Sequence, residues 1–178
     1  MKYFQLLALI LILGSCNNLP SAQKQEAETK TDQTKQVSDS TPNEALKFKS
    51  KGIQTIYNAY EKLRDALVAT DYETAKKFAT DLSEALKKDE ENMQQASMVE
   101  GIISAGEIEA ARVAFSALND SMESIFEGSL ESGEINKCYC PMALDNTGAS
   151  WFSTSKEIKN PYFGDKMLKC GTIKKTIK

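Results

Sequence analysis

Three hydrophobic textures follow one another along this chain. From Tyr3 to Leu13 nearly every residue is apolar, and from Asn17 to about Asn43 almost no large apolar side chain occurs. Beyond that, apolar residues return at three- and four-residue steps until Gly133. Ile53, Ile56, Tyr57, Tyr60, Leu63 and Leu67 lay one stripe along a helix predicted from about Glu44 to Ala69. Thr70-Asp71-Tyr72-Glu73 has the S/T-x-x-E form of a capping box, which ends that helix and opens the next. Ala75, Phe78, Ala79, Leu82 and Leu86 form the second stripe, ahead of the charged run Lys87 to Glu91. Met93, Val99, Ile102 and Ile103 suggest a shorter third segment. Ser104-Ala105-Gly106-Glu107 is a second capping-box candidate, opening a helix with Ile108, Ala111, Phe115, Leu118, Met122 and Ile125 inward and closed by Gly128 and Gly133. Stripes joined by such short turns predict a mainly α domain, an antiparallel three- to four-helix bundle. Met93, Met98 and Met122 are read as core or gap-filling residues.

The opening run, preceded by Lys2, is too brief to span a bilayer and has the layout of a signal peptide. It closes on Leu13-Gly14-Ser15-Cys16, which resembles the lipobox of bacterial lipoproteins: an aliphatic residue, two small ones, and the cysteine that is acylated and becomes the new N-terminus. Residues 1–16 are thus expected to be leader and lipidation site, 17–43 a disordered polar tether that cannot bury enough surface to order itself, and 44–178 a single domain. The expected location is exported, lipid-anchored to a bacterial membrane through Cys16, facing the periplasm.

Charge narrows the partners. Lys and Arg number 22 against 25 Asp and Glu, a net charge of -3, so no basic field points to nucleic acid. Histidine is absent, which excludes a Ser-His-Asp triad, a Cys-His pair, a histidine zinc site and c-type haem attachment.

After Gly133 the helical period stops, and the remaining cysteines, the single tryptophan and two methionines all fall in this last stretch. Pro141 and Pro161 push their neighbours toward extended geometry, and Gly148, Gly164 and Gly171 suit turns, so an irregular or short-strand segment packed on the bundle is expected. Trp151, Tyr162 and Phe163 read as anchors that pin this segment, and Asp145 to Gly148 as a turn rather than a calcium loop. An extended stretch from Cys138 would send Cys138, Cys140 and Met142 to one side, and a helical turn from Met167 to Cys170 would pair those two sulfurs.

The stretch Cys140-Pro141-Met142, Gly148-Ala149-Ser150-Trp151-Phe152-Ser153 and Asn160-Pro161-Tyr162-Phe163-Gly164-Asp165-Lys166-Met167-Leu168-Lys169-Cys170-Gly171 resembles the closing signature of a bacterial family of unknown function. Tyr60 to Val68 resembles the first helix of that family, so the likeness runs over roughly residues 50–178. Its members occur as stand-alone lipoproteins and at the C-terminal end of the adaptor (membrane fusion) subunits of RND heavy-metal efflux pumps. The resemblance implies a helical bundle and an association with copper or silver handling, with heavy-metal efflux components as partners.

The sulfurs then have two readings. Thiolates and thioethers favour Cu(I), and Cys140, Met142, Met167 and Cys170, with Cys138 in reserve, form a soft ligand set. Equally, export sets an oxidising compartment in which Cys140 and Cys170 form a disulfide that staples the C-terminal segment, with no metal. Cys138-Tyr139-Cys140 lacks the C-x-x-C spacing of a redox enzyme, and no other catalytic constellation is present, so a non-enzymatic protein is expected.

Overall fold

The computed structural model describes residues 45–178; the leader, Cys16 and the tether expected over 17–43 lie outside the described residues. The first element is a strand, β1 (Lys47–Phe48), where the sequence pattern predicts helix. Phe48 is buried between exposed Lys47 and Lys49, an alternation of period two that the longer helical stripe masks. Helix α1 (Lys51–Val68) begins only after Ser50, whose hydroxyl accepts a hydrogen bond from the Gly52 N–H at 3.1 Å.

Helix α2 (Tyr72–Leu86) is capped one residue later than the S/T-x-x-E pattern places it. Thr70 lies in the left-handed region at φ 58°, and the Asp71 carboxylate accepts from the Thr74 N–H at 3.0 Å. A carboxylate serves better there because it also meets the positive end of the helix dipole. A single 3-10 turn, Glu90–Asn92, leads into α3 (Met93–Ile103). Met93, expected in the core, opens that helix and is 49% exposed, whereas Met98 is partly buried and Met122 wholly so. The second expected capping box does not form: Ser104 ends α3, its hydroxyl donating back to the Glu100 carbonyl at 2.8 Å. Helix α4 (Ile108–Phe126) starts at Glu107 without a side-chain cap.

Successive helices pack on one another, and α4 returns to α1. Where α1 meets α4, an aromatic cluster fills the space: Tyr60 stacks on Phe115 with ring centroids 5.6 Å apart, and Tyr57 and Phe152 meet Phe126 edge-on at 5.4 and 5.2 Å. Such pairs add about 0.5–1.5 kcal/mol each beyond the area they bury.

Gly128, at φ 70°, turns the chain out of α4, whereas Gly133, at φ 83°, follows β2 (Leu130–Ser132) rather than closing the helix. Strand β2 pairs antiparallel with β1. The C-terminal stretch is more regular than expected. Strand β3 (Ile135–Cys140) is the centre of a three-stranded antiparallel sheet, flanked by β4 (Ala149–Ser153) and β5 (Thr172–Ile177). The fold is a helical bundle with this sheet packed on α4 and joined to α1 through Phe152. Among the described residues, no helix is long and apolar enough to cross a membrane.

Candidate functional site

Polar residues set within the apolar stripes hold the sheet in place. Arg64 lies on the stripe of α1, and its Nη1 donates to the Phe152 carbonyl at 3.1 Å, while Nε and Nη2 bond Asp65 at 3.0 and 2.7 Å. The Tyr60 hydroxyl donates to Asn119 Oδ1 at 2.6 Å and accepts from the Phe152 N–H at 2.9 Å. Asn119 Nδ2 in turn reaches the Phe115 carbonyl at 2.8 Å and the Tyr162 hydroxyl at 3.3 Å, and Tyr162 donates to the Ser150 carbonyl at 2.5 Å. Buried polar groups linked this way satisfy one another and fix where β4 sits. Burial pushes the Tyr60 and Tyr162 hydroxyls well above the ordinary phenol value, so both remain neutral donors.

The segment between β4 and β5 covers the sheet's other face. Pairing places Cys138 opposite Trp151 and Cys140 opposite Ala149, so these side chains share that face. Asn160 organises the covering segment: its N–H donates to the Leu168 carbonyl at 2.8 Å, its Nδ2 to the Cys170 carbonyl at 2.7 Å, and its Oδ1 accepts from the Tyr162 N–H at 2.8 Å. Arg112 of α4 binds the Pro161 carbonyl at 2.8 Å, and its Nη2 binds the Leu67 carbonyl and Thr70 Oγ1, each at 3.0 Å. One guanidinium thus satisfies a carbonyl at the end of α1 and clamps the Asn160–Gly164 stretch to the α1–α2 corner. Gly164, at φ 55°, fits only without a Cβ, which would lie 2.3 Å from Thr70 Oγ1. A Cβ on Gly171 would lie 2.7 Å from the Trp151 ring.

The sulfurs sit inside this frame. Cys140 ends β3 with no exposure, and its Sγ is 2.7 Å from Sγ of the half-buried Cys170. The Cys170 thiol is pushed up, first by its hydrogen bond to Cys140 and then by burial. Met142 is not extended with the cysteines as expected. The strand stops at Cys140, and Pro141-Met142 lead into a left-handed turn over Leu144, Asp145 and Asn146 at φ 52°, 56° and 66°. The Met142 side chain is 48% exposed. Met167 is joined to Cys170 through its carbonyl, which accepts the Cys170 N–H at 3.0 Å. Cys138 shares the face of Cys140 but is buried apart from the pair; burial pushes its thiol up to about 11, partly offset by the Arg64 guanidinium. A thiol held that high is a packing group at neutral pH, not a nucleophile. Among the described residues no three Cys, Asp or Glu side chains are grouped to hold a metal ion. The anchors lie as expected, Trp151 and Tyr162 buried with ring centroids 6.1 Å apart and Phe163 half-buried.

Sequence reading did not single out Arg64, Arg112 or Asn119. A signal was present: each interrupts an apolar stripe at a three- or four-residue step, Tyr60-Arg64, Ile108-Arg112 and Phe115-Asn119.

Bundle and sheet together define a mainly α domain whose C-terminal layer is pinned by buried polar residues. Residues 56–133 match the model of a family described as protein of unknown function (DUF3347), so a domain of unknown function occupies the helical part. The match runs from α1 to the turn after β2, and the stretch from Cys140 to Gly171 lies beyond it. Neither the comparison with curated proteins nor that with solved structures gives a match.

Proposed function

We propose that this protein is an exported, lipid-anchored, non-catalytic interaction domain whose C-terminal layer is stapled by a Cys140–Cys170 disulfide. The supporting observation is the 2.7 Å approach of the two Sγ atoms, the ends of β3 and of the covering segment having been brought together by Asn160 and Gly171. A small side-chain adjustment reaches the disulfide length of about 2.05 Å. A metal needs the opposite movement: two sulfurs each about 2.3 Å from one tetrahedral ion lie roughly 3.8 Å apart. Peptide mapping without reductant tests the staple. A stoichiometric Cys140–Cys170 peptide supports it, and two free thiols at those positions remove it.

A second reading concerns the reduced pair. Met142 follows Cys140 by two residues and the Met167 carbonyl accepts the Cys170 N–H, so two thioether-bearing residues neighbour the two thiols along the chain. That set suits Cu(I) or Ag(I), and under this reading the domain serves heavy-metal efflux components by holding the soft ion once the pair is open. Anaerobic Cu(I) titration of the reduced protein against a Cys140→Ser, Cys170→Ser variant decides it. Sub-micromolar, stoichiometric binding lost in the variant supports metal handling, and no stoichiometric binding in the reduced wild type ends it.

A further inference from the structure

A cavity of about 330 Å³ lies away from the sulfurs, between the first half of α1, the residues ahead of β1, the β2–β3 turn and the residue after β4. Gln54, Asn58 and Glu61 stand on successive turns of α1 along one wall, faced by Glu134 and Thr154. Ala45 and Leu46 supply an apolar side. Tyr57 also lines the cavity; the residue is 1% exposed, and its hydroxyl is buried without a hydrogen-bond partner. It is the unsatisfied member of a wall whose other polar groups are two carboxylates, two amides and the Thr154 hydroxyl, which donates to Glu61 at 3.5 Å. Buried hydroxyls are normally paired, because leaving one unpaired forfeits its hydration for nothing.

The charges around the cavity are also unbalanced. Among the described residues that line it, none is a lysine or arginine, the nearest guanidinium being that of Arg64 beside Glu61 and Tyr57. Arg64 Nη2 is 3.4 Å from Glu61 Oε1, but it makes its shorter bond, 2.7 Å, to Asp65. The Glu134 side chain is 26% exposed, and its ion-pair partner is Lys156 at 3.9 Å, itself 81% exposed. Two partly sheltered carboxylates and an unpaired phenol oxygen therefore face one space.

We infer that this cavity binds a primary alkylammonium ligand, with the –NH3+ group between Glu61, Glu134 and the Tyr57 hydroxyl and its alkyl stem along Leu46 and Ala45. An ammonium carries three donors, and these groups supply three acceptors. Two carboxylates leave a divalent cation short of the six or more oxygens it takes. The apolar side gives the stem the burial that an inorganic cation does not use.

The test is a titration of the full chain with 1,4-diaminobutane, followed by amide chemical shifts. Saturable shifts at Tyr57, Asn58, Glu134 and Thr154 are expected, while tetramethylammonium, which has no N–H, leaves them in place. Glu134→Gln should weaken binding about tenfold or more. Tyr57→Phe carries the sharper expectation, since it removes a hydroxyl that the empty protein leaves unpaired. Its melting temperature without ligand should stay level or rise, while diamine affinity falls. No saturable shifts up to roughly 10 mM diamine overturn the site. So do equal shifts with tetramethylammonium, or binding unchanged in both variants.

Discussion

At the scale of single residues, polar side chains set into apolar stripes determine where the C-terminal layer docks. Arg112 spans the α1–α2 corner and the Pro161 carbonyl, and Gly164 packs under it with no room for a side chain. Gly164→Ala adds a Cβ at positive φ and a clash with Thr70 and the Val68 carbonyl; the loss should be roughly 2 kcal/mol or more, seen as a lower urea midpoint with an unchanged slope. Cys138 gives a pH signature. Burial raises its pKa from 9.0 to about 11, so between those values the unfolded thiol ionises while the folded one stays largely protonated. Its contribution is complete below pH 9 and is lost as pH rises toward 11. Urea midpoints measured across that range should fall less steeply for Cys138→Ala than for the wild type. These positions were legible in part. The stripe residues Tyr60, Leu63, Leu67, Phe115 and Met122 are all core, as their spacing predicts. Arg64, Arg112 and Asn119 look like ordinary surface charge and polarity until their places on the stripes are counted.

Among the elements, the helices could be read and the strands only partly. Helical stripes repeat over four or five turns, so a boundary error of a residue or two leaves the element intact. Strand β1 has two residues, and its one buried side chain, Phe48, sits close enough to Ile53 and Ile56 to be absorbed into a helical pattern. Strands β3 to β5 depend on pairing between residues up to 42 positions apart, as with Ile135 and Ile177, and that information is not local. Capping boxes failed for a definite reason: Asp71 caps better than Thr70, and Ser104 is already engaged with the Glu100 carbonyl. The sheet is joined to α4 by charge as well. Glu123 accepts from Lys137 at 2.5 Å and Lys175 at 2.8 Å, and Lys175 also pairs with Glu127. Lys137 first, then Lys175, hold the Glu123 carboxyl below its ordinary value. A depressed carboxyl contributes stability above that ordinary value and loses it as pH falls through the depressed one, so the acid limb below the ordinary carboxyl range should flatten in Glu123→Gln. Urea midpoints through that range check it.

For the whole molecule, the proposed disulfide would link two points 30 residues apart in a layer already held by Asn160 and Arg112. Closing a loop of that size should contribute about 3.6 kcal/mol. Added reductant should lower the denaturation midpoint accordingly, and Cys170→Ser should begin at the lowered value and not respond to reductant. The sulfur pair was legible from chemistry and composition; that its neighbours Asn160, Gly164 and Gly171 form a scaffold for it was not, because each acts through contacts with distant backbone.

The polar residues embedded in the stripes also bear on modularity. Residues 56–133, the portion with a family match, end before the Phe152 carbonyl that accepts from Arg64, the Phe152 N–H that donates to Tyr60 and the Pro161 carbonyl that accepts from Arg112. Excised there, the helices would present Arg64 without the Phe152 carbonyl, Arg112 without the Pro161 carbonyl and Tyr60 without the Phe152 N–H, all on a bare apolar face. The sequence interval recognisable as a family is thus smaller than the unit that can be transplanted, and any fusion or minimal expression fragment must carry the chain through β5.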